Sequence, residues 1–490
     1  DTVTGTSGAD TINAPLAGAG GATMTYSAVD QINGGAGRDT LYLESNAANV
    51  SLALVTNVEA VSVSASADTD VRLPNDKAVD ALTNTGSANR AVTFSSVTNG
   101  ATTLTLNGVT GGTTTVGYSS TALSGASDTL ALNLSSVSTG TGAATVAFSG
   151  SNTTTNNLEK VAINTAADST VTVNLANTAA SSITVAGAGA TNLTVTNASA
   201  DFKSIDASAA TGAVTVAAAV GRSTTVTGGA GNDNLTAGGG NDVVLGGAGA
   251  DTITGGGDND SLDGGAGNDT VIVALGDVGE FDTIVGGDGT DTLSVTGTLS
   301  HSTTSTAVQP GTRISGFEVI RATGTASVDM TAVAAGNSIT SVVADGGSLT
   351  LSKDTAITGV TFLSGNSVTV ESKGTQAVTI GQASGVAELT GSLTTAATAL
   401  TVTSANKLTT AERNTLNLSS TNATVASVTL SGANNVTYTG GTAVGTVNAS
   451  GVTAAGTSTV YAVTVDVSAS TAAVTFTPGA GRVNVTTGTG

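Results

Sequence analysis

Residues 228–272 read GGAGNDNLT, AGGGNDVVL, GGAGADTIT, GGGDNDSLD and GGAGNDTVI, five unbroken nonapeptides. Asp holds the sixth place of each, at Asp233, Asp242, Asp251, Asp260 and Asp269, and an aliphatic residue follows two places later, at Leu235, Val244, Ile253, Leu262 and Val271. After a short insertion, GGDGTDTLS (286–294) repeats the pattern with Asp291 and Leu293. Gly is needed where a backbone turns tightly with positive φ, and such a turn points its carbonyl oxygens inward. The last three residues of each repeat are expected to form a short strand with the aliphatic side chain in the core. One turn takes nine residues and the chain then reverses, so a full coil takes eighteen. Asp233 should therefore stack near Asp251, Asp251 near Asp269, and, on the opposite edge, Asp242 near Asp260.

This chemistry points to calcium, a hard cation that takes six to eight oxygens. Backbone carbonyls plus one carboxylate per turn can supply them when two turns stack. From Ser223 to Thr312 there is no Lys or Arg while Asp is frequent, so the segment repels itself unless a cation neutralises it. A flexible Gly-rich linker or a solvated acidic face would not keep Asp and the aliphatic residue in phase over five repeats. Weaker copies stand at the start: GTSGADTIN (5–13) with Asp10, and GGAGRDTLY (34–42) with Asp39. DQINGGAGRDTL from Asp30 matches DTIVGGDGTDTL from Asp282 at eight of twelve positions. Each isolated copy admits an ordinary Asx turn as well as a calcium site; Asp10, Asp39, Asp291, Asp30 and Asp282 are read as calcium ligands. Asp258, Asp263 and Asp288 lie off phase and are expected to be solvated or peripheral.

A second motif follows each block: NVEAVSV (57–63) after the first, GFEVIRA (316–322) after the second, with NLEKVAI (157–163) as a third copy. Glu59, Glu159 and Glu318 admit two readings, calcium ligands at domain junctions or structural residues facing solvent or pairing locally; the second is favoured. Between the blocks lie long Thr- and Val-rich stretches with period-two alternation, such as VTVNL (171–175), SITVAG (182–187) and SVTVES (367–372), which read as strands. Strand centres recur roughly every nine to twelve residues, a spacing that suits a β-solenoid or a sandwich; the solenoid is favoured because the glycine–aspartate rolls stack onto one. Helix is nearly absent, with weak candidates at 74–82, capped at Asn75 or Asp76, and at 409–416. The expected fold is all-β, with parallel β-rolls alternating with solenoid-like blocks: 1–45 a short calcium block, 46–221 a β-rich block, 222–295 the main roll, and 296–490 a second β-rich block. GRVNVTTGTG at 481–490 resembles the stretch from Gly221 that leads into the five repeats, so a further roll is expected past Gly490.

The repeats at 228–272 resemble the RTX (repeats-in-toxin) family. That resemblance implies a parallel β-roll, folding driven by millimolar extracellular calcium, and type I secretion through a C-terminal signal that this chain does not display. The Thr/Ala/Ser/Val-rich blocks, few Lys and few aromatics are similar to RTX-type surface-layer proteins of Gram-negative bacteria, which implies a bacterial cell-surface location. Extracellular modules bind calcium with Kd of ~10⁻⁴–10⁻³ M. At ~1 mM calcium and the tighter end, each site adds on the order of 1.4 kcal/mol, so several sites rival a domain's whole stability of ~5–15 kcal/mol. Such a block stays extended in calcium-poor cytoplasm and folds outside.

Composition narrows the partners. The net charge of −21, from 35 acids against 14 bases, argues against nucleic acid, whose phosphates need a basic footprint, and against anionic membrane. No apolar run approaches the ~18 residues of a membrane span. There is no Cys, so a secreted chain of this size needs another staple, and metal is the candidate. The chain opens on Asp1 inside repeat-like sequence and reads as a fragment, with any targeting signal outside it. Enzyme signals are poor. The one His, His301, is expected in an exposed loop, and a metalloprotease H-E-x-x-H needs two. No G-x-S-x-G elbow or phosphate loop occurs. Carboxylate pairs for a polysaccharide lyase or glycosidase are sparse outside the calcium blocks, and Phe281 and Tyr461 stand alone as aromatic sugar platforms. Two readings stay open: a self-associating subunit of a surface layer or filament, anchored to cell-surface polysaccharide through a region outside this chain, and the stalk of an adhesin.

Overall fold

The computed structural model describes residues 2–14, 29–74, 79–119, 122–123, 128–137, 143–150, 158–176, 178–274, 282–299, 313–330, 333, 336–352, 356–364, 367–371, 373–381, 389–405, 413–418, 424–432, 435–453 and 462–489. They form two compact units, Asp1–Ser261 and Leu262–Gly490, and among the described residues there is no α-helix.

In the first unit successive strands alternate between two parallel sheets. One sheet runs from Thr11–Ala14 through Thr40–Ser45, Ala60–Ala65 and Ala81–Thr85 to Val243–Ala248; the other runs from Asn49–Ser51 through Thr69–Arg72 and Val92–Val97 to Thr252–Gly257. A small third sheet pairs Thr2–Thr4, Gln31–Asn33 and Val55–Thr56. Each sequence block therefore winds as a β-solenoid. Parallel pairing between consecutive coils excludes the sandwich, whose neighbours would be antiparallel hairpins.

The period-two alternation sets which side chains turn inward. Thr40–Ser45 and Ala60–Ala65 each alternate half-buried and buried residues. Because coils stack in register, inward residues form columns. Val161, Ile183, Ile205, Val226 and Val244 follow one another in one sheet. Val171, Leu193, Val216, Leu235 and Ile253 do so in the other. All ten are buried, and full burial of such a side chain contributes roughly 1.5–3 kcal/mol. β-branched residues fit these columns because their stiff χ1 packs well on a pleated surface. Polar inward positions are matched with one another: buried Asn84 donates to Thr114 Oγ1 at 2.8 Å, and Thr191 Oγ1 donates to Thr165 Oγ1 at 2.7 Å.

Coil length varies while inward phase does not. Leu235 pairs with Ile253, eighteen residues on, whereas Val116 pairs with Phe148, thirty-two residues on.

The second unit has the same logic with one device of its own. The long strand Val319–Asp329 pairs through Val319–Ala322 with Ser341–Ala344 and through Ala326–Asp329 with Leu349–Ser352. It rounds a corner at Thr323–Thr325 and so feeds two strand columns, one ending at Thr475–Thr477 and the other at Val483–Thr487.

Three expectations change. The end of the 74–82 helix candidate, Ala81 and Leu82, lies in strand Ala81–Thr85, with Leu82 held between Val61 and Leu104; residues 75–78, Asn75 and Asp76 among them, lie outside the described residues. The 409–416 candidate ends in strand Arg413–Leu418, paired with Asn435–Thr439. Local helix propensity is worth tenths of a kcal/mol per residue, less than one inward Leu supplies. In the roll, the strands from Asn234–Gly239 to Ser261–Ala266 are six residues long, not three. Asn234–Gly239 continues past the aliphatic triplet, with Gly238 opposite Gly256, because the second glycine of the next repeat (φ +122°) keeps the pairing alive where a side chain would break it.

Candidate calcium site

The glycine–aspartate turns place their carboxylates in ladders along the edges of the coils. Asp233 N–H donates to Asp251 Oδ1 at 2.7 Å and Asp242 N–H donates to Asp260 Oδ1 at 2.9 Å, so the pairs expected eighteen residues apart within the first unit are brought together. The ladders begin one coil earlier, where Val214 N–H donates to Asp233 Oδ1 and Thr224 N–H to Asp242 Oδ1, both at 2.7 Å. In the opening block Asp10 N–H donates to Asp39 Oδ1 at 2.7 Å. In the second unit Asp269 N–H donates to Asp291 Oδ1 at 2.8 Å.

These carboxylates are taken from water. Asp39, Asp233, Asp242, Asp251, Asp260, Asp269, Asp282, Asp291 and Asp30 are all buried, and Asp39 and Asp291 have no exposed surface at all; Asp10 is half-buried. Burying a carboxylate is costly unless a countercharge meets it. Burial pushes Asp242 up to about 7, against the Thr224 N–H that lowers it and with the repulsion of Asp260 and Asp258 adding to the rise. Burial also raises Asp233 over the opposing N–H groups of Gly229 and Val214. At Asp291 burial outweighs the Asp269 N–H, and repulsion from Glu318 and Asp288 adds to it. The fold thus places carboxylates where burial disfavours their charged form, a cost that a bound cation would offset.

Which atoms could meet that cation follows from the glycine that opens five of the repeats. A Cβ on Gly228 would strike the carbonyl oxygen of Gly246, one coil on, and Oδ2 of Asp233. The same pair of oxygens, a next-coil carbonyl and the repeat's own Asp Oδ2, crowds the Cβ position of Gly5, Gly34, Gly264 and Gly286. Oδ2 of Asp39, Asp242 and Asp291 lies buried with no hydrogen-bond partner. Among the described residues no three acidic, His or Cys side chains converge, so backbone carbonyls must complete any coordination shell. A donor set of oxygens alone, mostly carbonyls, suits calcium and not zinc.

The remaining candidates fall outside this pattern. Asp258 is exposed at φ +73° in the fourth place of its repeat, where the other repeats carry Gly, and its Oδ2 accepts Gly240 N–H at 3.2 Å. Asp288 is exposed and Asp263 half-buried. His301, Phe281 and Tyr461 lie outside the described residues. Sequence reasoning missed two features. Asn232, Asn241 and Asn268, each just before a ladder Asp, accept the N–H of Ala250, Asn259 and Thr290 at 2.8, 3.1 and 2.9 Å, a second ladder visible as the recurrent Asn-Asp dipeptide. The glutamates of the following motif do not pair locally. Glu59 Oε2 accepts Asp39 N–H at 2.7 Å, Glu318 Oε2 accepts Asp291 N–H at 2.8 Å, and Glu159 Oε2 accepts Asp128 N–H at 2.6 Å, each from the preceding coil.

The family model of the RTX calcium-binding nonapeptide repeat (4 copies) matches residues 1–14, 26–46, 221–253, 237–271 and 279–295. No curated protein matches the chain. Repeats of this class bind calcium, and proteins that carry them are typically secreted.

Proposed function

We propose that this RTX-repeat calcium-binding chain, an extracellular β-solenoid, is a structural subunit of a bacterial surface layer or related assembly, self-associating on the cell surface and carrying out no catalysis. Calcium would be held by Asp233, Asp242, Asp251, Asp260, Asp269 and Asp291 in the main roll and by Asp10, Asp30, Asp39 and Asp282 in the flanking copies, with carbonyls from the stacked turns. The observation that supports the reading most is the division of labour along the chain. From Ser223 to Thr312 aspartate is frequent and no Lys or Arg accompanies it, so this stretch would depend on calcium for neutralisation, while the rest is a solenoid with both signs of charge whose outward residues are mainly Thr, Ser, Asn and Ala. Among the described residues this surface carries few aromatic side chains that could serve as sugar platforms, and its strand edges are natural pairing surfaces. A chain that stays extended at cytoplasmic calcium and folds in the medium is suited to type I export followed by assembly.

Electron microscopy of the purified protein at millimolar calcium tests this. Sheets or fibres that disappear on adding a chelator are the expected result. Monomers that only stiffen with calcium would sink the assembly reading and favour the adhesin stalk, which the same solenoid would serve.

A further inference from the structure

The short motif that follows each glycine–aspartate block imitates one turn of the roll with other residues. In the opening block the last repeat starts at Gly34 and carries Asp39. The oxygens that crowd the Cβ position of Gly34 are Asp39 Oδ2 and the carbonyl of Asn57. At Gly286, which starts the repeat of Asp291, they are the carbonyl of Gly316 and Asp291 Oδ2. Asn57 and Gly316 thus stand where Gly34, Gly246 or Gly286 stand for the repeats before them. Both have positive φ, +51° and +77°, where the roll places its first left-handed residue one position later, at Gly35, Gly247 and Gly287, so the closing turn presents its carbonyl at the same point with a different backbone. The residue after each, Val58 or Phe317, is buried and anchors the turn. Two places on, Glu59 or Glu318 accepts the N–H of the preceding Asp at 2.7 or 2.8 Å, the bond that Asp251 Oδ1 makes to Asp233 N–H.

We infer that each block ends in a further calcium site, closed by Asn57 and Glu59 over Asp39 and by Gly316 and Glu318 over Asp291. The closing turn supplies a carbonyl and a carboxylate. The last repeat supplies Asp Oδ2, which in both blocks belongs to a fully buried carboxylate and has no hydrogen-bond partner. A roll of aspartates alone leaves its last ion open on one side. The longer Glu side chain lets a turn without the nonapeptide glycines reach the same point, so the ion column ends in a complete site and the chain passes into solenoid. The sequence Asn157–Leu158–Glu159 has the same order, and Glu159 makes the same bond to Asp128. There Leu123 stands five residues before the Asp, the place of Gly34, and a side chain of that size would take the space that the carbonyl and carboxylate oxygens fill at Gly34.

The test is a calcium count. Glu59→Gln and Glu318→Gln keep an oxygen that accepts the Asp N–H but lose the charge. Native mass spectrometry at saturating calcium is expected to find one ion fewer in each single variant and two fewer in the double, with the full count in Glu159→Gln. An unchanged count in both Glu59→Gln and Glu318→Gln would overturn the proposal and leave the glutamates as hydrogen-bond caps. Should a variant misfold, anomalous diffraction from the unaltered protein grown with calcium decides the matter. An ion at about 2.3–2.6 Å from Asp39 Oδ2 and the Asn57 carbonyl supports the site; a water molecule there refutes it. Neither readout depends on whether the protein assembles.

Discussion

The coils at Asn234–Gly239 and Thr252–Gly257 and those at Ser169–Asn174 and Thr191–Thr196 belong to one sheet, yet they are held differently. Both keep an inward aliphatic column, Leu235 over Ile253 and Val171 over Leu193. The first pair returns every eighteen residues through turns of glycine and buried aspartate. The second takes twenty-two residues and turns without the glycine–aspartate repeat, at a corner where the exposed Asp168 accepts Ala190 N–H at 2.8 Å. Calcium does not set the shorter period, because Val342, Val360 and Val378 in the second unit also stack eighteen apart without a Gly-Gly-x-Gly-x-Asp turn. Eighteen residues is the shortest circuit among the paired strands described. What the glycine–aspartate turn adds is conditional stability: the same core, but with buried charge that must be neutralised before the core can close.

Removing calcium is the most severe way to break this comparison. Hydrogen-exchange mass spectrometry of chelated protein should show amide protection lost across 228–272 and kept across 158–218. The difference is worth several sites at on the order of 1.4 kcal/mol each. Uniform loss over both stretches would mean that coupling between neighbouring coils, on which every solenoid depends for its stability, overrides the local distinction.

Next in size is a core deletion that calcium cannot rescue. Leu193→Ala opens a cavity between Val171 and Val216 and should cost about 2–5 kcal/mol, read as a lower denaturation midpoint by the same amount with and without calcium. Proton linkage comes third and acts on the roll. Burial raises Asp233, Asp242 and Asp291 above their unfolded value of 3.8, Asp242 to about 7. Calcium-free protein therefore has this contribution in full below pH 3.8 and loses it as pH rises through about 7, so its roll should be better ordered at pH 5 than at pH 8 by circular dichroism. With calcium the trend reverses, since protons compete with the ion for the same carboxylates. A calcium-free roll indifferent to pH would show that its carboxylates are solvated. The smallest effect is Gly247→Ala. Its φ of +109° and the Gly229 carbonyl beside its Cβ position should cost about 1–3 kcal/mol, seen as a higher calcium midpoint for folding in a titration followed by circular dichroism.

Much of this was legible beforehand. The nonapeptide phase placed Asp233 against Asp251 and Asp242 against Asp260 because a strict nine-residue period leaves one way to coil, and alternation in VTVNL or SITVAG named the inward residues. The same reasoning failed where a residue's partner lies a coil away at no fixed distance. Glu59 and Glu318 looked solvent-facing because the N–H groups they accept belong to Asp39 and Asp291, twenty and twenty-seven residues back.

The sequence by itself determined the coil, its direction, the ligand chemistry and the inward face, since these depend on residue type and a period of two or nine. Only the tertiary structure decided where each coil ends. Strand Ala81–Thr85 in place of a helix, the corner within Val319–Asp329 and the glutamate closure all depend on which neighbour is already in register, and that is fixed by burial shared between coils, not by the residues of either coil alone.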